Sequence, residues 1–188
     1  MDWKNLVEVL LFASPDPLTQ SHFNHVLQDE RIMQLGPLVD ELNDEYAASE
    51  KGLKIMKIAG GFQILSDSRY HIYLERLFHK KRKIHLSRPA LEALSIIAYR
   101  QPISKAEIES IRGVECGSVI KTLMEREIVT VKRRGNTVGR PLLFSTTRLF
   151  LESFGLEKLS DLPKLKEFSD LMSDNNDPNL FKQKHAFE

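Results

Sequence analysis

Any chemistry on this chain must come from its titratable and polar residues, and few of them are spaced for it. The lone cysteine, Cys116, has no partner for an internal disulfide. It also lacks a histidine at ligand or dyad spacing, so it reads as packing rather than as a zinc ligand or nucleophile. His22 and His25 lie three apart, which sets two ligands on one helical face, but no third ligand follows at a suggestive distance. Paired carboxylates, a phosphate loop and a nucleophile–base set are all missing, so the sequence points to no enzyme, metal or cofactor. What remains is basic: Arg133, Arg134 and Arg140 in the loop of IVTVKRRGNTVGRPLLFST, residues 128–146. A guanidinium forks onto phosphate or carboxylate alike, so this loop reads as solvated surface, protein contact or DNA grip.

The charge distribution limits the choice of partner. The chain of 188 residues carries a net charge of +1, but residues 1–70 hold 6 Lys and Arg against 11 Asp and Glu. HKKRKIHLSR, residues 79–88, holds five basic groups and no acid. Residues 89–163 hold 11 basic groups against 9 acidic ones. The strongly basic stretch, Lys80 to Lys83 above all, therefore reads as a linker, and such runs are usually solvated. No apolar run approaches the ~20 residues that span a bilayer, and MDWKNLVEVLLFASPD is too acidic for a signal peptide. The expected location is cytoplasmic.

The elements that must position these residues follow from periodicity. DWKNLVEVLLFAS places Trp3, Leu6, Val7, Leu10 and Leu11 at helical spacing, with Asp2 as cap. Thr19 caps a second helix, with Leu18 and Phe23 in staple positions. Leu35, Leu38, Val39, Leu42 and Tyr46 mark a third, whose first turn tolerates Pro37. LKIMKIA and FQILS flank Gly60-Gly61, expected to form a tight hairpin turn. The same order recurs: Leu91, Leu94, Ile97 and Ala98 form one stripe, Ser104 and Glu107 a capping box with Ile103 and Ile108 as staple, and Gly113 a stop. Val119, Ile120, Leu123 and Met124 form the inward face of the next helix, and a second hairpin follows. Pro17-Leu18-Thr19 matches Pro102-Ile103-Ser104 at an offset of 85, as Phe23 and Val26 match Ile108 and Ile111. The fold class expected is mainly α with small β-hairpins, two tandem winged-helix domains from a duplicated unit. The boundaries are 1–78, a basic linker 79–87, 88–163, and a flexible tail 164–188.

Neither third helix suits base reading. The first exposes Asp40, Glu41, Asn43, Asp44 and Glu45, whose four carboxylates repel phosphate. The second exposes Glu115, Ser118, Lys121, Thr122, Glu125 and Arg126, of mixed charge and without Asn or Gln. Pro141 is expected to hold Arg140 extended at the entry to the returning strand. Apolar residues are in excess, because Ile96 and Tyr99 widen the LEALSIIAYR face while Leu149, Phe150, Leu151 and Phe154 cannot all face one core. The excess either packs an extra helix or forms a groove for a partner's amphipathic helix. In the first domain, Trp3 and Phe12 are spare apolar surface beside the Leu6, Leu10 and Leu11 stripe.

LEALSIIAYRQPISKAEIESIRGV, then VGRPLLFSTT, then FLESFGLEKLSDLP closely resemble segregation and condensation protein B, the winged-helix subunit of the prokaryotic SMC-kleisin condensin complex. Three separated segments agree in order, over roughly Leu86 to Leu165, while the first domain matches mainly through VEVLLFAS. Phe144 stands where an aromatic, often tyrosine, is expected, and KRRGNT falls in variable territory. The resemblance implies a homodimer through the N-terminal domain, at Trp3, Leu6, Leu10 and Phe12, and no enzymatic activity or cofactor. It implies binding of the central segment of the kleisin, segregation and condensation protein A, on Leu94, Ile97, Tyr99, Phe144 and Phe150 with Arg100 and Arg140 at the rim. The kleisin bridges an SMC ATPase, which implies a nucleoid-associated role in chromosome condensation and segregation, with DNA contacted weakly or through the complex. The alternative is a tandem winged-helix DNA-binding transcriptional regulator, favoured by the wing arginines and basic linker.

Overall fold

A computed structural model describes residues 2–28, 33–78, 86–136 and 139–163. The chain forms two units, one drawn from residues 1–81 and from Phe154 onward, the other from 82–153. Most of the basic linker, including Lys80 to Lys83, and the tail from residue 164 lie outside the described residues. The architecture is mixed α and β, with two small antiparallel sheets.

The first unit runs α1 Trp3–Ala13, α2 Gln20–Leu27, α3 Leu35–Ala48, β1 Leu53–Ile58, β2 Gly61–Ser66, a 3₁₀ turn at Ser68–Tyr70 and α4 His71–Leu77. Local caps set the helix starts. Asp2 accepts from the backbone N–H of Lys4 and Asn5, and Thr19 accepts from that of His22. Gln34, at the start of α3, makes no cap bond of its own. Gln20 of α2 supplies it instead, its Oε1 accepting from Leu35 N–H at 2.8 Å while its Nε2 donates to Met33 O at 2.7 Å. The core gathers Val7, Leu11, Leu18, Phe23, Leu35, Val39, Leu42, Tyr46 and Ile55. The α1 stripe is thus rotated from the expected one: Val7 and Leu11 are buried, whereas Leu6 and Leu10 are half-buried.

The hairpin turn is displaced by one residue from the expected Gly60-Gly61. Ile58 pairs Gly61, so the two-residue turn is Ala59 and Gly60, with φ of 48° and 75°. Two positive φ values match the right-handed twist of the strands. Gly61 serves another purpose, since a Cβ there would lie 2.8 Å from the Pro17 carbonyl oxygen. That close approach lets Leu18 and Phe62 exchange two backbone hydrogen bonds, of 2.8 and 2.9 Å. Residues from Phe154 onward also group here rather than with the second unit, as the Ala59 N–H to Leu156 O bond of 2.9 Å and the Lys57–Glu157 pair of 2.7 Å illustrate.

The second unit runs α5 Arg88–Arg100, β3 Ile103–Ser104, α6 Lys105–Arg112, α7 Gly117–Glu125, β4 Val129–Arg134, β5 Leu142–Thr146 and α8 Arg148–Ser153. Its sheet has the order β3-β5-β4. The duplication extends to structure. Leu18 and Ile103, each just before its N-cap, bridge to the returning strand of their hairpin, at Phe62 and Phe144 respectively. Val26 and Ile111, matched by the same offset, are both exposed. On α5 the buried face is Ala90, Ala93, Leu94, Ile97 and Ala98, while Leu91, expected in the stripe, is exposed. Small alanines let neighbouring backbone approach more closely than leucine would.

Candidate protein-binding site

The corner between β3 and α6 fixes one side of the site. Ser104 Oγ accepts from Glu107 N–H at 3.3 Å, and Glu107 Oε2 accepts from Ser104 N–H at 2.8 Å and from its hydroxyl at 2.6 Å. These bonds from Ser104, the side-chain one foremost, hold the Glu107 carboxyl below its usual range. Gly113 ends the helix at φ 71°. A second clamp, unforeseen in the sequence, ties the end of α5 to β5. Thr146 N–H donates to Gln101 Oε1 at 2.7 Å, and Gln101 Nε2 donates to Thr146 Oγ1 at 2.9 Å and to Ala98 O at 3.2 Å. Tyr99 and Arg100 lie on the last turn of α5, just before Gln101.

Between α7 and β5 runs an apolar groove floored by Ile120, Met124, Leu142 and Phe144 and edged by Lys105, Lys121 and Glu125. Met124 is 38% exposed and Leu142 41%, so Met124 does not face the core as helical periodicity suggested, and Val119 is only half-buried. Gly117 also lines the groove, and a Cβ there would meet only the flexible end of Lys105, with Nζ at 3.3 Å. A bulge between Val131 and Arg133 interrupts the pairing of β4 with β5. Lys132, Arg133, Arg134 and Arg140 are all exposed. Arg140 is not extended as its place before Pro141 suggested; its φ is +43°, in the left-handed region. The tip is held by Gly135 N–H donating to Pro141 O at 2.7 Å.

The residues expected to bind a partner divide by burial. Leu94, Ile97, Phe144 and Phe150 belong to the core, Ile97 being fully buried, so they form the foundation of the surface rather than its face. The added strand β3 and helix α8 make that core larger than three helices alone require. Tyr99 is half-buried, and Arg100 and Arg140 are exposed. Phe144 alone among the seven lines the groove. Met124, Leu142 and Lys105 were missed as surface, whereas Lys121 is exposed as expected; the available signal was that α7 carries more large apolar residues than one buried face can take. In the first unit Trp3, Leu6 and Leu10 are half-buried and Phe12 is 84% exposed, with Val9 exposed beside it.

The other chemical candidates are structural. Cys116 is buried, its N–H donates to Glu109 Oε1 at 2.8 Å, and burial pushes its thiol up. His22 and His25 are exposed on α2. Among the described residues no three His, Cys, Asp or Glu gather to hold a metal ion, and no helix is long and apolar enough to cross a membrane.

The family model for segregation and condensation complex subunit ScpB matches residues 5–165, which include elements of both units. Segregation and condensation protein B of Syntrophotalea carbinolica is 40% identical over 175 residues, covering 93% of this chain and 88% of its own. Among solved structures, ScpB from Mycobacterium tuberculosis is 28% identical, covers 81% of this chain and 94% of its own, and has a TM-score of 0.38. A dimer of an ScpB N-terminal domain complexed with an ScpA peptide is 28% identical, covers 40% of this chain and 93% of its own, and has a TM-score of 0.36. The chain therefore belongs to the family of the segregation and condensation complex subunit ScpB.

Proposed function

We propose that this protein is a non-enzymatic subunit of the SMC-kleisin condensin complex, acting in chromosome condensation and segregation by binding the central segment of the kleisin ScpA. Family membership over nearly the whole chain supports the role. The apolar groove of the second unit, with Met124 and Leu142 open to solvent among Lys105, Lys121 and Glu125, carries the assignment of the surface. A groove of this kind accepts the apolar side of an amphipathic segment, and its border of Lys105, Lys121 and Glu125 meets the polar side. Tyr99, Arg100 and Arg140 extend the surface, while Leu94, Ile97, Phe144 and Phe150 support it from below. Arg140 is held in a costly backbone conformation at an exposed tip, as anchoring residues often are.

Each unit is assigned as a winged helix, supported by three helices closed by an antiparallel hairpin in the same order twice. The first unit joins two copies, and the second takes the kleisin, through which the SMC ATPase is reached. The protein works in the cytoplasm, on the nucleoid. Sequence-specific DNA reading is the weaker assignment: α3 exposes Asp40, Glu41, Asp44 and Glu45, and α7 presents Met124 and Glu125 where base-reading donors would be needed. The test is co-purification from the native host with identification of the bound proteins. Recovery of a kleisin and an SMC ATPase is expected; recovery of neither, with tight binding to one DNA sequence at physiological salt, would overturn the assignment.

A further inference from the structure

The hairpin of the second unit carries charge that nothing near it offsets. Residues 128–147 hold four cations, Lys132, Arg133, Arg134 and Arg140, and no Asp or Glu. On the helices of the same unit, cations are neutralised locally: Arg88 and Arg112 meet Glu92, Lys105 meets Glu109, Lys121 meets Glu125 and Arg148 meets Glu152, at 2.8–3.7 Å. Among the described residues Lys132, Arg133 and Arg134 have no such partner. In regular alternation Arg133 would follow Val129 and Val131 onto the inner face of the sheet. The bulge between Val131 and Arg133 breaks that alternation, and the three consecutive cations are all exposed. The matching hairpin of the first unit has only Lys54 and Lys57, and Lys57 is paired with Glu157 at 2.7 Å.

We propose that the bare cations of β4, Lys132, Arg133 and Arg134, form a sequence-independent contact with the phosphate backbone of duplex DNA. This goes beyond the kleisin-binding role and does not depend on it; Arg140, on the returning side of the tip, belongs to the kleisin surface. Protein interfaces centre on buried aromatic or aliphatic anchors and are depleted in lysine, whereas from Thr130 to Asn136 no apolar side chain is exposed. Protein–DNA interfaces are instead polar and strongly positive. A single strand would call for aromatic rings on which bases stack, and β4 has none. The rest of the unit adds to the attraction, since residues 88–153 hold 11 Lys and Arg against 7 Asp and Glu, the reverse of the acidic first unit. Sequence independence follows from α7, where Met124 and Glu125 stand in place of base-reading donors.

The test is fluorescence anisotropy of the full chain on labelled duplexes of two unrelated sequences, over a salt series. Wild type should bind both alike and lose affinity as salt rises. Three phosphate contacts contribute about −2.7 to the slope of log affinity against log salt, a roughly 40-fold loss between about 50 and 200 mM. Lys132→Ala, Arg133→Ala and Arg134→Ala together should make the slope shallower by that amount, and each alone by about 0.9. Since the three side chains are exposed, the triple variant should keep the wild-type melt and, by calorimetry, the wild-type affinity for the kleisin segment. Replacing Lys80, Lys81, Arg82 and Lys83 of the linker by glutamine should leave the contribution of β4 in place. Absence of wild-type binding at low salt overturns the proposal, as does a folded triple variant with the wild-type slope. Tight preference for one duplex overturns the sequence independence, and a triple variant that loses the kleisin but not DNA makes β4 a protein contact instead. A wild type that shows the expected slope yet takes no kleisin supports the DNA contact and refutes only the kleisin assignment.

Discussion

Gly60 and Gly61 are adjacent, and a turn-based reading would treat them alike, but the structure separates them sharply. At Gly60 the demand is conformational: φ is +75° and a Cβ would touch nothing within 4 Å. Gly60→Ala should therefore cost about 1–2 kcal/mol, the left-handed penalty of an L residue. At Gly61 the demand is space, because a Cβ would lie 2.8 Å from Pro17 O, 2.9 Å from Pro17 C and 3.0 Å from Leu18 C. All three are backbone atoms, so no side chain can swing aside. The methyl must push the Pro17–Leu18 segment from β2, and the two hydrogen bonds between Leu18 and Phe62 are lost. At about 1 kcal/mol for each bond, with part of the burial of Leu18 forfeited as well, Gly61→Ala should cost roughly 3–4 kcal/mol. The assay is urea denaturation followed by tryptophan fluorescence. Trp3 is the single tryptophan of the chain and lies in α1 of the same unit, so it reports this unit alone. A Gly61→Ala variant no less stable than Gly60→Ala would refute the reasoning.

Three further predictions concern the supports of each unit. Asn43 pins α3 to β1, with Ile55 N–H donating to its Oδ1 at 2.9 Å and its Nδ2 donating to Ile55 O at 3.0 Å; Asn43→Ala should cost about 2 kcal/mol in the same fluorescence assay. The Glu107 carboxyl is held below its usual range in the capping box, so its stabilisation is complete above the ordinary glutamate range and is lost as pH falls through its lowered folded value. Thermal melts from neutral pH down into that acid range should show a shallower loss of stability for Glu107→Gln than for wild type, and parallel curves would contradict this. Arg140→Gly removes a left-handed strain of ~1–2 kcal/mol while adding a glycine entropy cost of ~0.5–1 kcal/mol. Its melting temperature should be unchanged or slightly raised even as kleisin affinity falls, a divergence that a merely structural arginine would not show.

The sequence made local structure readable because caps are short-range. Asp2, Thr19, and Ser104 with Glu107 each satisfy backbone donors two or three residues away, so residue type and spacing suffice. Long-range clamps leave no such trace. Gln20 reaches fifteen residues to Leu35, and Gln101 reaches forty-five to Thr146, yet both look like ordinary surface glutamines in the sequence. Helical phase was the other loss. Leu91 has the size of a core residue but lies outside the buried arc that Ala90 and Ala93 occupy, and Met124 sits at the arc's edge, where the groove opens. Leu94, Ile97, Phe144 and Phe150, expected at a partner-binding surface, are buried, and β3 and α8 belong to the same unit as that core. Helix α4 escaped notice because it has neither cap bond nor buried side chain to mark it.

Calorimetric titration of the central kleisin segment into the full chain tests the central claim most directly, comparing wild type with Met124→Glu, Tyr99→Ala and Arg140→Ala, each first shown by circular dichroism and melting to be folded. Met124→Glu puts a carboxylate on the groove floor, and Tyr99→Ala and Arg140→Ala remove an aromatic and a guanidinium anchor. The account predicts saturable binding by wild type and a loss of at least about 30-fold in affinity for Met124→Glu and Arg140→Ala. Undiminished affinity in all three folded variants would contradict it and place the kleisin away from the α7–β5 groove and its wing.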